Sequence, residues 1–128
     1  QMGSVRAGDA VDGAAFAALL ALVRNENVWC KLSHAYKISA QPPHYRDTLP
    51  YARAIIAASP SRLLWGSDWP HPRVPGAMPN DGFLLDLLAD WVDHDPHLLQ
   101  RILVRNPARL YASERAQTRA SNEDKPQP

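Results

Sequence analysis

A chain of 128 residues with fourteen basic and thirteen acidic side chains carries a net charge of +1 and has no basic cluster to track a phosphate backbone, which excludes nucleic acid as a partner. No apolar run approaches a membrane span and no charged-then-apolar leader opens the chain, so no membrane association is expected and the cytoplasm is the expected compartment. The single cysteine, Cys30, has no partner for an internal disulfide, and in an apolar stretch it reads as a buried thiol before a nucleophile.

The first periodic segment follows Asp12, a candidate helix cap: Phe16, Leu19, Leu20 and Val23 recur at helical spacing, and the helix is expected to end near Arg24 and Asn25. Val28, Cys30 and Leu32 alternate with Trp29, Lys31 and Ser33, which predicts a strand over 27–33 leading into a polar loop with His34, Tyr36 and Lys37. Residues 38–47 contain Pro42 and Pro43 and show no period. Asp47 or Thr48, with Pro50, then starts a helix that turns Tyr51, Ala54, Ile55 and Ala58 inward and stops at Pro60.

The apolar run Leu63-Leu64-Trp65 lies between Pro60 and Gly66, too short for a helix, and predicts a strand over 62–67 buried on both faces. Pro70, Pro72, Pro75 and Pro79 deny the next stretch a hydrogen-bond ladder and make it a stiff loop. From about Asp81, Leu84, Leu87, Leu88 and Trp91 form one apolar helix face, with Asp86, Asp90 and Asp93 solvated. Asp95-Pro96 opens another helix, in which Leu98, Leu99, Ile102 and Leu103 are apolar. Asn106-Pro107 restarts the chain, and Leu110 and Tyr111 are the last docking residues. The stretch 112–128 has almost no large apolar side chain and is expected to be disordered. The result is one α/β domain over 1–111, with about two strands and four to five helices, and a tail. A parallel barrel and a doubly wound open sheet both fit this order.

Asp68 falls at the mouth of the second strand, in Trp65-Gly66-Ser67-Asp68-Trp69-Pro70-His71-Pro72. On the residues alone it is either a turn cap or a carboxylate held for chemistry. This segment, with Arg62-Leu63-Leu64 before it, Trp29-Cys30-Lys31-Leu32-Ser33 upstream and Arg105-Asn106-Pro107-Ala108-Arg109-Leu110-Tyr111 downstream, resembles the amidohydrolase-related (amidohydrolase 2) family. The branch it resembles contains 2-pyrone-4,6-dicarboxylate lactonase and related sugar lactonases. The resemblance runs from about Met2 to Tyr111 and chooses the barrel. A complete (β/α)8 TIM-type barrel takes about 250 residues, so this chain is expected to be the C-terminal part of one, without the earlier strands and their His-x-His motif.

That resemblance makes Asp68 the general base that activates water against a cyclic ester (lactone) or similar carbonyl, with Trp65 and Trp69 shielding it. Lys37 falls where the branch tends to have an arginine, after a Lys-x-Ser-Gly-x-Tyr-Arg stretch, and would meet a substrate carboxylate as a point charge rather than as a bidentate fork. Ser33 and Tyr36 would be hydroxyl donors beside it, and His71 would line the pocket. The plain alternatives are a solvated lysine at 37 and a backbone-bonded loop histidine at 71. His34 stands where the branch has glycine, so either the loop conformation differs or a new polar group enters the pocket. Gln1 and Ser4 stand where it has a histidine that polarises the carbonyl and an arginine that binds a carboxylate.

No cofactor is expected. The branch works without a metal, whereas other branches hold a divalent ion such as zinc, and His34, His44 and His71 lie in different loops without a metal-binding spacing. Three functions remain open: a hydrolase of a small-molecule carboxylate or lactone; a degenerate, non-catalytic module that binds a carboxylate ligand around Lys37 and Tyr36; and a partner subunit. Part of a barrel leaves strand edges unpaired, so self-association through them is the mode expected of the third.

Overall fold

Two three-residue strands, β1 (Cys30–Leu32) and β2 (Leu63–Trp65), pair in parallel, with Cys30 opposite Leu63, Lys31 opposite Leu64 and Leu32 opposite Trp65. A parallel pair cannot be joined by a hairpin, and in this computed structural model the crossover contains the short helix α2 (Ala35–Ile38) and the longer α3 (Leu49–Ala58). The structure describes residues 1–6, 8–74 and 76–112. Pro75, one of the prolines assigned to the stiff loop, and the expected disordered tail from 113 onward lie outside the described residues, while 112 itself is helical. Both strands are shorter than predicted. The Gly66 N–H still reaches the Leu32 carbonyl at 3.3 Å, the last backbone bond between the two strands among the described residues.

The helix before β1, α1 (Ala14–Arg24), packs against α3. Phe16 and Val23 of α1 are buried in the core, and Leu19 and Leu20 pack partly on it. Asp12 does not cap this helix. Gly13 does, because a Cβ there would come 2.9 Å from the Ala10 carbonyl oxygen, and the turn leaves Asp12 in solvent. In α3, Tyr51, Ala52, Ile55 and Ile56 are buried and Ala54 and Ala58 half-buried, so the inward face is turned from the predicted one toward Ala52 and Ile56. Neither Asp47 nor Thr48 caps α3 with its side chain. The buried Thr48 hydroxyl instead donates to the Tyr45 carbonyl at 2.6 Å and accepts from Trp91 Nε1 at 3.1 Å, joining the start of α3 to the next helix.

That helix, α4 (Asp81–Trp91), buries Leu84, Leu87, Leu88 and Trp91 as its spacing predicts, and leaves Asp86 and Asp90, with Asp93 just beyond it, exposed. Asn80 caps it by accepting the Phe83 N–H at 3.1 Å. Asp95 caps α5 (Pro96–Gln100) by accepting the N–H groups of His97 and Leu98. The chain does not restart at Asn106-Pro107. It passes through a wide π turn, Arg101–Arg105, into helix 106–112. Pro107 has no N–H and its ring crowds the carbonyl four residues back, a conflict that a widened turn relieves. Asn106 is buried, and its Nδ2 donates to the carbonyls of Pro60 (2.9 Å) and Leu63 (2.8 Å), clasping the entry to β2. Tyr111, expected to dock, is half exposed at 49%.

Leu32, Ile55, Leu63, Leu88 and Ile102 are fully buried around the sheet, each worth roughly 1.5–3 kcal/mol. Cys30 is a buried thiol whose pKa is raised by that burial. Among the described residues no helix is long and apolar enough to cross a membrane.

Candidate active site

Because β1 and β2 run in parallel, their C-terminal ends open on the same side and the residues that follow them meet. His34 follows β1 with a left-handed φ of 68°, and Asp68 follows β2 with a φ of 69°. His34 thus keeps the backbone shape that glycine adopts most easily while adding a ring. Its Nε2 lies 2.7 Å from Asp68 Oδ2. The Tyr36 hydroxyl donates to the same oxygen, and Lys37 Nζ stands 3.9 Å from it. Among the described residues no hydrogen bond falls on Asp68 Oδ1. The Asp68 side chain keeps 20% of its surface open.

Ser33 Oγ is 3.2 Å from His34 Nδ1. Burial pushes the His34 imidazole below its ordinary pKa, an effect that the Asp68 charge partly offsets. The neutral ring has one proton to place. Beside a carboxylate it belongs on Nε2, and Nδ1 then accepts from Ser33. Burial, followed by the bond to Asp68 and the charge of Asp68, holds the Tyr36 phenol well above its usual range, so it stays a donor. The result is a carboxylate fixed through one oxygen by two neutral donors, with an ammonium close by.

The predicted residues reach this place in different ways. Tyr36 and Lys37 stand at the carboxylate, with Lys37 Nζ also 5.5 Å from the centre of the Tyr36 ring. Ser33 is buried and turned to His34 rather than to open space. His71 supports the site from behind. Its N–H donates to the Asp68 carbonyl at 2.7 Å, its ring meets Tyr36 edge-on at 5.4 Å, and its Nε2 lies 2.8 Å from Asp81 Oδ1 at the start of α4. Trp65 is half-buried, but Trp69 does not shield Asp68: the left-handed Asp68 turns the chain outward and leaves Trp69 76% exposed. Gln1 is exposed, and Met2–Ser4 forms a 3-10 turn against β1 with Met2 fully buried.

The sequence offers His34 either as a change of loop shape or as a new polar group in the pocket. The left-handed backbone is kept while the ring enters, but its bond to Asp68 and that of Asp81 to His71 were missed. The signal for His34 was its place in a glycine position directly after a strand; Asp81 carried none beyond opening a helix. Among the described residues no three His, Cys, Asp or Glu side chains converge as metal ligands, and His44 lies apart on the Phe83 ring. Beside Tyr36 opens a mainly apolar cleft of about 820 Å³, between the loops 39–45 and 74–80 and over the first turns of α4.

The family model described as Amidohydrolase matches residues 2–112. The chain is 40% identical over 113 residues to the 2-pyrone-4,6-dicarboxylate hydrolase of Comamonas testosteroni, covering 81% of this chain and 37% of that protein. It is 40% identical over 111 residues to the 4-sulfomuconolactone hydrolase of Hydrogenophaga intermedia, covering 85% and 36%. The apo crystal structure of Agrobacterium tumefaciens ATU3138 superposes with a TM-score of 0.74 at 34% identity, over 88% of this chain and 40% of that one. The chain therefore spans little more than a third of the length of the curated relatives it matches.

Proposed function

The chain belongs to the amidohydrolase family, and from that premise we propose that it is the C-terminal part of a (β/α)8 barrel that hydrolyses a lactone, with Asp68 as general base. The observation that carries this reading is the carboxylate at the end of β2, held through Oδ2 by Tyr36 and His34 from the neighbouring strand end. Barrel enzymes keep their chemistry at this face. The relatives' names, a pyrone dicarboxylate hydrolase and a sulfomuconolactone hydrolase, supply the class of bond. The edges of β1 and β2 are where the remaining strands pair.

A water bound at Oδ1 gives its proton to Asp68 as its oxygen attacks the lactone carbonyl carbon. The oxyanion that forms gains from the Lys37 ammonium nearby. On collapse the ring C–O bond breaks, the alkoxide takes the proton back from Asp68, and the product is an open-chain hydroxy acid. Tyr36 and His34 keep the carboxylate in position throughout, and His71 holds Tyr36 and the Asp68 backbone. Lys37 already faces Asp68, so it is less free to serve a module that only binds carboxylates.

In the full-length protein, Asp68→Asn keeps the shape and the acceptor oxygen but removes the base. The expected loss in kcat/KM for lactone hydrolysis is about 10²- to 10⁴-fold. Wild-type turnover by the variant would end the assignment.

A further inference from the structure

The cleft beside Tyr36 has a chemical character of its own. Three of its polar groups are engaged elsewhere, the Tyr36 hydroxyl on Asp68, the Ser39 hydroxyl on Asp47 and Asn80 Oδ1 on the Phe83 N–H, and the Tyr45 phenol and the Asn80 amide add only neutral polar atoms. Val74, Met78, Pro79 and Phe83 give it an apolar surface. Among the described residues no lysine or arginine lines it, and its one charged side chain is acidic, Asp86. Arg46, close in sequence, faces a separate groove with Arg53, Asp90 and Asp93. The loop wall is held in place, since Asp47 also accepts the Ala40 N–H at 2.7 Å and His44 rests on the Phe83 ring at 5.7 Å.

An anionic group entering this cleft would shed water without meeting a cation among the described residues and would face Asp86, whereas an apolar group would only gain from leaving water. The cleft is also of the size that holds small ligands, and Tyr36 joins it to Asp68, with its hydroxyl on the carboxylate and its side chain in the cleft wall. We infer that the cleft is a subsite for an uncharged alkyl or aryl substituent on the lactone, in place of an anionic group such as the carboxylate or sulfo group named in the relatives' substrates. This inference rests on the reading of Asp68 given above.

The test compares two six-membered lactones that differ only in one ring substituent, phenyl or carboxylate, on the full-length protein. The phenyl lactone is expected to be favoured by about tenfold or more in kcat/KM, and Met78→Lys, which puts a cation on the cleft wall, to lower that ratio. The same pair titrated calorimetrically into the Asp68→Asn protein reports binding without turnover, and Kd is expected to fall in the same order. Preference for the carboxylate lactone, a ratio that Met78→Lys leaves untouched, or no binding of either compound overturns the subsite. If the wild-type protein opens neither lactone yet the phenyl compound binds more tightly, the hydrolase reading fails and the subsite stands.

Discussion

In the helical layer, Leu84, Leu87, Leu88 and Trp91 of α4 fall on one face at the spacing an α-helix dictates, and its acidic residues stay in water. At the strand mouths three residues other than glycine, His34, Asp68 and His71, hold left-handed φ values of 68°, 69° and 55°. Each such conformation costs on the order of 1 kcal/mol, and it persists only because the surrounding structure enforces it. The layer is built for stability by local pattern. The mouths spend some of that stability to aim side chains at one carboxylate oxygen.

Substitutions can break that contrast. The largest stability effect belongs to the layer: Leu88→Ala removes a fully buried side chain and is expected to lower unfolding free energy by about 3 kcal/mol in a denaturant titration, with turnover per folded molecule kept. A drop in turnover per folded molecule would show that layer and mouth are coupled.

A smaller effect at the mouth depends on pH. Burial holds the native His34 pKa below its unfolded value, so the stability it contributes is complete above the ordinary imidazole pKa and is lost as pH falls through the lowered native one. His34→Gly suits the backbone and removes this titration. The wild-type thermal midpoint should therefore fall more than the variant's between about pH 7 and about pH 5. Equal falls would remove the case for a buried neutral imidazole. The smallest effect is expected at the cap of α5, where Asp95→Ala should cost about 1 kcal/mol by the same titration and leave turnover unchanged.

The same contrast explains what could be read from the residues. The apolar face of α4, the cap of α5 and the place of Asp68 after a short buried strand are local signals, set by spacing and by neighbours in the chain. The meeting of Asp68 with Tyr36 and His34 spans more than thirty positions and exists only because β1 and β2 run in parallel register. No periodicity encodes such a contact. The helix running through Pro107 was hidden for a related reason: proline normally ends a helix, and here the π turn and the clasp of Asn106 on Pro60 and Leu63 override it. Trp69 failed as a shield because the sign of φ at Asp68, which no pattern reports, sends it outward.

The most direct test of Asp68 as the base for water attack is ring opening by the full-length protein in heavy-oxygen water, with the position of the label read by mass spectrometry. The account predicts one heavy oxygen in the new carboxylate, none in the hydroxyl, and loss of this product in Asp68→Asn. Label in the hydroxyl, or the same labelled product formed at the wild-type rate by Asp68→Asn, would contradict it.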